Sequence, residues 1–244
     1  MKEVIIFRFL GREGPGYLGD FLTENNIPWH MVKVDEGEPI PSSILAYSGM
    51  VLMGGPMSVN DDLPWIAPLL ERIREAKAAD IPLLGHCLGG QLISKAFGAS
   101  VGANMFGEKQ VKEIGWGEVT VTENEAAKFW FGNIQNFNAF HWHGETFTLP
   151  EGATHLLSSA YCQNQAYSIG KHLAFQTHIE VNAEMVRKWC EESDDELAEA
   201  AIRPEFEKSV QQADAMLQEL PLHCFFLNKV AKHVYGQWIQ GLVV

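Results

Sequence analysis

The 244-residue chain lacks any long apolar run. A membrane-spanning helix needs roughly 20 predominantly apolar residues, and no stretch of the sequence approaches that length. The apolar run near the N-terminus covers only a few residues, and no small-residue cleavage site follows it, so it predicts a first β-strand and not a secretory signal. We therefore expect no membrane association and a cytoplasmic location.

The chain is also poor in basic residues and in paired cysteines. Its 18 Lys and Arg stand against 31 Asp and Glu, a net charge of -13, which argues against binding to nucleic-acid phosphates. The four cysteines, at positions 87, 162, 190 and 224, are far apart and form no C-x-x-C pair. This spacing gives little support to a zinc cluster or a disulfide framework. We expect a reducing environment and no bound metal.

The first hundred residues alternate between strand-like and helix-like patterns. Strands are predicted at 4–10, 29–34, 49–55 and 81–86, and helices at 16–26, 64–80 and 89–99. In the clearest helix, Ile66, Leu69 and Ile73 share one face. The alternation predicts a mostly parallel central sheet between two layers of helices, an α/β fold that binds ligands at the carboxyl ends of its strands.

The pattern changes after Gly102. Short strand-like segments separated by polar loops predict a small antiparallel sheet, and from about Asn182 the sequence becomes helical, with good helical patterns beginning near 194 and over 207–220. We therefore divide the chain into an α/β domain over residues 1–182 and a helical C-terminal extension over 183–244 that packs on the same domain.

A single cysteine lies at a predicted strand-to-helix junction, in the segment LLGHCLGGQLI. The pattern G-x-C-x-G-G around Cys87 is typical of a nucleophile elbow, in which a sharp turn presents the side chain. The start of the following helix would lower the pKa of the thiol and stabilise an oxyanion. A buried, inert cysteine is the commoner state. Gly89 and Gly90 favour the elbow, because they are poor helix formers that a purely structural helix would not select.

A nucleophilic thiol needs a base and a group that orients the base. The segment AFQTHIEV contains His178 two residues before Glu180, and strand alternation would place both side chains on one side. The carboxylate could then hold the imidazole in the required tautomer. An exposed His-Glu pair at a strand end is the alternative, and the H-x-E pattern alone does not decide between them.

Four motifs in a fixed order resemble those of the class I (triad-type) glutamine amidotransferases, in particular the free-standing, GMP-synthase-like group. They are LMGGPMSV, GHCLGGQ, HWHGETF and the H-x-E of QTHIE, and the similarity extends from about Val4 to Glu180. The resemblance implies a flavodoxin-like amidotransferase fold. It also implies hydrolysis through a thioester, which needs no cofactor.

The resemblance further implies a role for each matching residue. Cys87 would attack the γ-carbonyl of glutamine or of another γ-glutamyl compound, His178 would act as acid and base, and Glu180 would orient His178. The backbone N–H groups of Gly55 and Leu88 would form the oxyanion hole. The remaining matching residues would hold the substrate: Gly54, Gln91, His143, Gly144 and Glu145.

The sequence departs from the family pattern at three positions. Where the family has Q-F-H-P-E, Thr177 replaces an aromatic residue and Ile179 replaces a proline that helps fix the loop carrying the histidine. Trp142 occupies a position where a small polar residue is common. We expect these changes to affect the efficiency of the reaction and the shape of the glutamine pocket.

The sequence leaves the exact function open among three alternatives. The first is a self-sufficient hydrolase or transferase acting on a γ-glutamyl small molecule. The second is an ammonia-supplying subunit of a separate synthetase, because the S-G-G-x-D-S motif of the synthetase domain is absent here. The third is a catalytically silent, ligand-binding relative. The substrate, the acceptor and the oligomeric state stay undetermined.

Three further groups of residues received weaker interpretations. Cys162 and Gln165 would line the rim of the site or belong to a structural loop. His141 and His143 could ligate a metal but lack a matching carboxylate in the sequence pattern. The acidic run 194–196 is interpreted as the solvated start of a helix.

Overall fold

A computed structural model describes residues 2–243, with Glu205 described by its backbone only. The helices of the described residues are α1 (Gly16–Glu24), α2 (Ile66–Ala78), α3 (Leu88–Ala96), α4 (Glu125–Phe131), α5 (Ala183–Glu192), α6 (Asp194–Ala201), α7 (Ala213–Leu217) and α8 (Leu220–Trp238). Short 3₁₀ turns lie at Val34–Glu36, Pro204–Phe206 and Ile239–Gly241.

The described residues also form 13 strands. They are β1 (Val4–Arg8), β2 (Trp29–Lys33), β3 (Gly49–Leu52), β4 (Leu83–His86), β5 (Val101–Ala103), β6 (Met105–Phe106), β7 (Lys109–Gln110), β8 (Glu113–Val121), β9 (Asn136–His143), β10 (Glu145–Phe147), β11 (Thr154–Ser159), β12 (Ala166–Ile169) and β13 (His172–Phe175).

Nine of these strands form one central sheet, in the order β2-β1-β3-β4-β13-β12-β11-β8-β9. The pairs from β2 to β13 are parallel, and the pairs from β13 to β9 are antiparallel. Two small antiparallel sheets, β5 with β10 and β6 with β7, lie beside it. The predicted α/β class is confirmed, and small antiparallel sheets are present. Most of the strands after Gly102 extend the central sheet instead, and β13 among them pairs parallel with β4.

The sheet is buried on both faces because helices cover each side. Along β1, Val4 and Ile6 belong to the hydrophobic cluster that contains α1 and α8, whereas Ile5 and Phe7 belong to the cluster that contains α2 and α3. This alternation follows from the two-residue repeat of a strand. The result is the predicted three-layer arrangement.

The C-terminal helices pack directly on the sheet. Trp238 of α8 is fully buried and donates a hydrogen bond from Nε1 to the carbonyl of Leu83 in β4, at 3.1 Å. The prediction of one helix over 207–220 is wrong. The helical conformation is interrupted at Glu219, which has φ 50°. Pro221 lacks an N–H group and therefore fits only in the first turn of a new helix, α8.

Within residues 2–243, the structure contains no helix with the length and apolar character needed to cross a bilayer.

Candidate active site

Cys87 lies at the turn between β4 and α3, in a strained backbone conformation. Its φ of 50° and ψ of -109° are unusual for a residue with a side chain, and such strain is often stored at functional sites. Its backbone N–H donates to the carbonyl of Phe175 in β13 at 2.9 Å. A Cβ atom on Gly89 would overlap the carbonyl of Leu52, and one on Gly90 would overlap that of Phe175. The two glycines therefore let α3 approach the strands closely enough to form the elbow.

His178 and Glu180 lie just beyond β13 and form a buried pair. The Nδ1 atom of His178 is 2.6 Å from Oε1 of Glu180, and both side chains are 1% exposed. Burial opposes the charge of the carboxylate, but His86 and His178 outweigh it and lower the pKa of Glu180 to about 2. An ionised Glu180 accepts a hydrogen bond from Nδ1, which leaves Nε2 as the working nitrogen.

The same pair sets the charge of the imidazole. Burial lowers the pKa of His178, but the negative charge of Glu180 and the adjacent Cys87 thiol outweigh burial and raise that pKa well above 6.5. His178 is therefore positively charged at pH 7 and lies beside Cys87.

Gln176 contacts the sulphur of Cys87 directly, although it is not among the predicted site residues. Its side-chain Nε2 donates to Sγ of Cys87 at 3.5 Å, and its Oε1 accepts from Nε2 of Gln91 at 3.1 Å. Gln91 also donates to the carbonyl of Glu145 at 3.4 Å. The signal that could have identified Gln176 is its place in the QTHIE motif, two residues before His178.

The loop carrying His178 is fixed without the aromatic and proline residues of the family pattern. The carbonyl of Phe140 in β9 accepts two hydrogen bonds, from the hydroxyl of Thr177 at 2.9 Å and from the N–H of His178 at 2.8 Å. Ile179 is fully buried in the core. Contacts with β9 thus take over the restraint that a proline would supply through its ring.

His86 lies behind His178 and Glu180 and immediately precedes Cys87 in the chain. Its Nδ1 is 3.3 Å from Oε2 of Glu180, but the N–H does not point at the oxygen, so the contact is not a hydrogen bond. Its Nε2 lies 3.4 Å from the hydroxyl of Tyr235 in α8. Complete burial lowers the pKa of His86 to about 4, so it is neutral at pH 7.

The loop after β3 needs glycine at both predicted positions. A Cβ on Gly54 would overlap the carboxylate of Glu13 and lie 2.9 Å from Cε1 of His178, and a Cβ on Gly55 would lie 2.9 Å from Cδ2 of Leu88. Because Gly54 and Gly55 have no side chains, the backbone of this loop can lie beside the start of α3.

A cavity of about 300 Å³ opens above Cys87. Six other predicted residues share its wall: Gly55, Gln91, His143, Gly144, Glu145 and His178. Gly54, Leu88 and Glu180 lie behind the wall rather than on it.

The cavity wall also contains residues outside the predicted catalytic and substrate-binding set, among them Arg12, Glu13, Lys112, Trp189 and Glu196 of α6. Trp142, which we expect to change the shape of the glutamine pocket, lies on the wall as well. Residues 194–196 do begin a helix, but their interpretation as wholly solvated is wrong for Glu196. Its carboxylate accepts from Nζ of Lys112 at 2.6 Å and from Nε1 of Trp142 at 2.9 Å. No local pattern marks these residues, because five separate elements contribute them.

A buried group beside the cavity supplies the carboxylate that the His141–His143 pattern lacked. Glu113 is paired with His143 in the sheet. Glu113, His141 and His143 each have one potential metal-ligating atom, and these three atoms lie within 4.8 Å of one another. The carboxylate already accepts hydrogen bonds at 2.7 Å from Ser159 and from Gln165. Gln165 is fully buried, which fits the structural interpretation of its loop and not a place on the rim.

A cysteine at a nucleophile elbow, beside a buried His-carboxylate pair at the carboxyl edge of an α/β sheet, is the arrangement of enzymes that transfer acyl groups through a thioester. The sequence model described as "Glutamine amidotransferase class-I" matches residues 18–188. The protein belongs to the class I glutamine amidotransferase family.

Known proteins of this family are similar to the chain over most of its length. The crystal structure of a glutamine amido transferase from Methylobacillus flagellatus is 43% identical and superposes with a TM-score of 0.94, covering 100% of this chain and 96% of that one. Gamma-glutamyl peptidase 3 of Arabidopsis thaliana is 29% identical over 73% of this chain and 74% of its own length. A glutamine-hydrolyzing GMP synthase of Wolbachia pipientis is 30% identical over 57% of this chain but only 27% of that protein.

Proposed function

We propose that the protein hydrolyses the γ-amide bond of glutamine or of another γ-glutamyl compound through a thioester on Cys87. The observation that carries this proposal is the buried pair of His178 and Glu180, joined at 2.6 Å, beside a cysteine at a strained turn on the cavity wall. The similarity to a gamma-glutamyl peptidase supports the same reaction class.

In the first half of the reaction, the sulphur of Cys87 forms a bond to the carbonyl carbon of the γ-amide. The carbonyl oxygen becomes an oxyanion, which the N–H groups of Gly55 and Leu88 stabilise. The C–N bond then breaks, its electron pair stays on nitrogen, and His178 delivers the proton that releases ammonia or an amine. The product on the enzyme is a γ-glutamyl thioester.

In the second half, water attacks the thioester while His178 accepts one of its protons. The C–S bond breaks, sulphur takes the electron pair and the γ-carboxylate is released. An acceptor amine in place of water would make the protein a transferase.

The γ-glutamyl portion is assigned to the side of the cavity formed by Gln91 and residues 143–145. Gln91 is held in place because its amide donates to Glu145 and Gln176 at the same time. A fixed polar side chain and nearby backbone groups suit the α-amino and α-carboxylate groups of a small substrate.

The second candidate is an ammonia-supplying subunit of a separate synthetase. The similarity to one part of a GMP synthase favours it, since the chain matches only 27% of that protein. A subunit of this kind would release ammonia slowly alone and faster with its partner. Turnover by the purified chain, and its response to added cell-extract fractions, therefore distinguishes the two functions.

The proposal is tested by labelling with a glutamine-like diazo-ketone followed by mass spectrometry. We expect one adduct, on Cys87, that is absent in Cys87→Ser and slower to form in His178→Ala. The other three cysteines, all buried, are internal controls. Labelling unaffected by both substitutions, or no labelling of folded protein, would contradict the mechanism; the second result is also the one expected of a silent, ligand-binding relative.

A further inference from the structure

Glu13 is a buried carboxylate on the cavity wall without a hydrogen-bond donor. It lies in the loop between β1 and α1 and is 8% exposed. Within residues 2–243, no side chain or backbone N–H group donates to its carboxylate. The carboxylate reaches the cavity, so a molecule bound there can supply the donor that the protein does not. Its place on the cavity wall indicates that the missing donor comes from the substrate.

The position of Glu13 relative to His178 identifies which part of the substrate it can reach. The Oε2 atom of Glu13 and the Cε1 atom of His178 both lie against Gly54. Nδ1 of His178 is occupied by Glu180, so Nε2 is the ring nitrogen left for a substrate. A histidine that delivers a proton from Nε2 must have the leaving nitrogen next to it. Because Glu13 and His178 contact the same glycine, a nitrogen placed next to His178 is also close to the Glu13 carboxylate.

Contacts with two other elements hold the Glu13 loop in place. The N–H of Glu13 donates to the carbonyl of Leu10 at 2.9 Å, and Trp189 of α5 donates from Nε1 to the carbonyl of Arg12 at 2.9 Å. The N–H of Tyr17, just after the loop, donates to the carbonyl of Glu180 at 2.8 Å. The loop is thus held by hydrogen bonds to the segment that carries His178 and Glu180. These contacts orient the Glu13 carboxylate before substrate binds.

The charge balance around Glu13 agrees with this role. Burial raises the pKa of Glu13 to about 7, although the positive charges of His178 and Arg12 lower it and the negative charge of Glu180 raises it further. A carboxylate in this environment gains more from an N–H donor than an exposed one would.

We propose that Glu13 is a catalytic residue that binds the leaving nitrogen, accepting a hydrogen bond from the N–H of the scissile γ-amide and keeping it as the C–N bond breaks. Glu13 transfers no proton; the proton that completes the leaving amine comes from His178. The proposal rests on the thioester mechanism described above. It implies a preference for γ-glutamyl amides over γ-glutamyl esters, because an ester oxygen has no hydrogen to donate.

The test compares γ-glutamyl methylamide with γ-glutamyl methyl ester, which differ only in N–H against O. The measured quantity is the amide-to-ester ratio of kcat/KM, since kcat/KM reports the steps up to thioester formation. In Glu13→Gln, which keeps the shape but removes the charge, we expect this ratio to fall about tenfold or more. The exposed Glu151→Gln is the matched control, with an unchanged ratio.

An unchanged ratio in Glu13→Gln would overturn the proposal, whether both substrates slow equally or neither slows. An equal loss would mean that Glu13 supports the fold or binds the shared γ-glutamyl portion. If Glu13→Gln does not fold, Glu13→Asp serves, and its shorter side chain should lower the ratio in the same direction. Cys87→Ser distinguishes failure of the thioester mechanism from failure of the Glu13 proposal. This substitution should abolish cleavage of both the amide and the ester. Activity that remains in Cys87→Ser would contradict the thioester mechanism, whatever the result for Glu13.

Discussion

The two sides of the cavity are built differently. The side that carries Cys87, His178 and Gln176 consists of backbone turns tied to β4 and β13, and its side chains are almost completely buried. The rest of the wall consists of charged side chains from the β1–α1 loop, the segment before β8 and α6. Its ion pair of Lys112 and Glu196 is partly exposed, whereas Glu13 lies beside His178. The sheet side fixes the position of the reacting atoms, whereas the charged side can change at little cost to the fold.

The difference implies separate roles in catalysis. Chemistry common to a whole family belongs on the rigid, sheet-built side, because a small displacement there disturbs the nucleophile and its base. Selection among leaving groups belongs on the charged side, where Glu13 and Glu196 lie. Substitutions on the two sides should therefore differ in size and in kind.

The largest effect is expected on the sheet side, from Glu180→Gln. The amide cannot provide the charge that keeps His178 protonated on Nδ1 and stabilises the imidazolium, so kcat/KM should fall about 100-fold or more. The measurement is release of ammonia or amine from a γ-glutamyl amide. A loss smaller than about threefold would mean that Glu180 does not orient His178.

Next in size is the effect of filling the space at the elbow. Gly90→Ala places a Cβ against the carbonyl of Phe175 and should destabilise the fold by about 1–3 kcal/mol. The matched control is Gly236→Ala in α8, where no atom lies within 4 Å of the added Cβ and stability should rise by up to about 1 kcal/mol. Denaturant unfolding measures both. Equal stability of the two variants would contradict the close packing of α3 on the sheet.

Three buried histidines should destabilise the protein as the pH falls from about 6.5 to 4, against a smaller and opposite contribution from Glu13, whose pKa burial raises to about 7. Burial lowers the pKa of His86, His141 and His172 from 6.5 to about 4. The unfolded chain therefore binds protons at these sites before the folded chain does, and stability is lost as the pH falls through this interval. Thermal melting at pH 7.5 and pH 5 measures the loss. His172→Gln, outside the cavity, should show a smaller difference between the two pH values, and an unchanged difference would exclude His172 as a contributor.

The smallest effect is expected on the charged side, from Glu196→Gln. The ion pair with Lys112 is partly exposed, and such pairs contribute little to stability. We expect an unchanged melting temperature, a change in KM of about threefold or less, and a kcat within twofold. A large fall in kcat would show that this side, too, positions the reacting atoms.

The sequence was most informative where the function depends on local backbone geometry. The glycines around Cys87 and the strand-helix alternation predicted the elbow and the parallel half of the sheet, because both follow from short-range steric rules. Glu13 and Glu196 could not be found this way. Their place on the cavity wall depends on contacts between distant segments, such as the bond from Trp189 to the carbonyl of Arg12, which joins residues 177 positions apart.

The C-terminal segment shows the same limit. Its helical character was evident, but the break at Glu219 was missed because a favourable pattern over 207–220 concealed the effect of Pro221. The contact between Tyr235 and His86 behind the catalytic pair was also inaccessible, since it joins elements 149 positions apart.

The most direct test of the account is detection of the thioester itself. The enzyme is mixed with a γ-glutamyl substrate, quenched in acid during turnover, digested and examined by mass spectrometry. If the reaction proceeds through a thioester on Cys87, we expect a γ-glutamyl group on the peptide that contains Cys87 and on no other cysteine peptide. Steady turnover with no acyl group on Cys87, or turnover retained in Cys87→Ser, would contradict it.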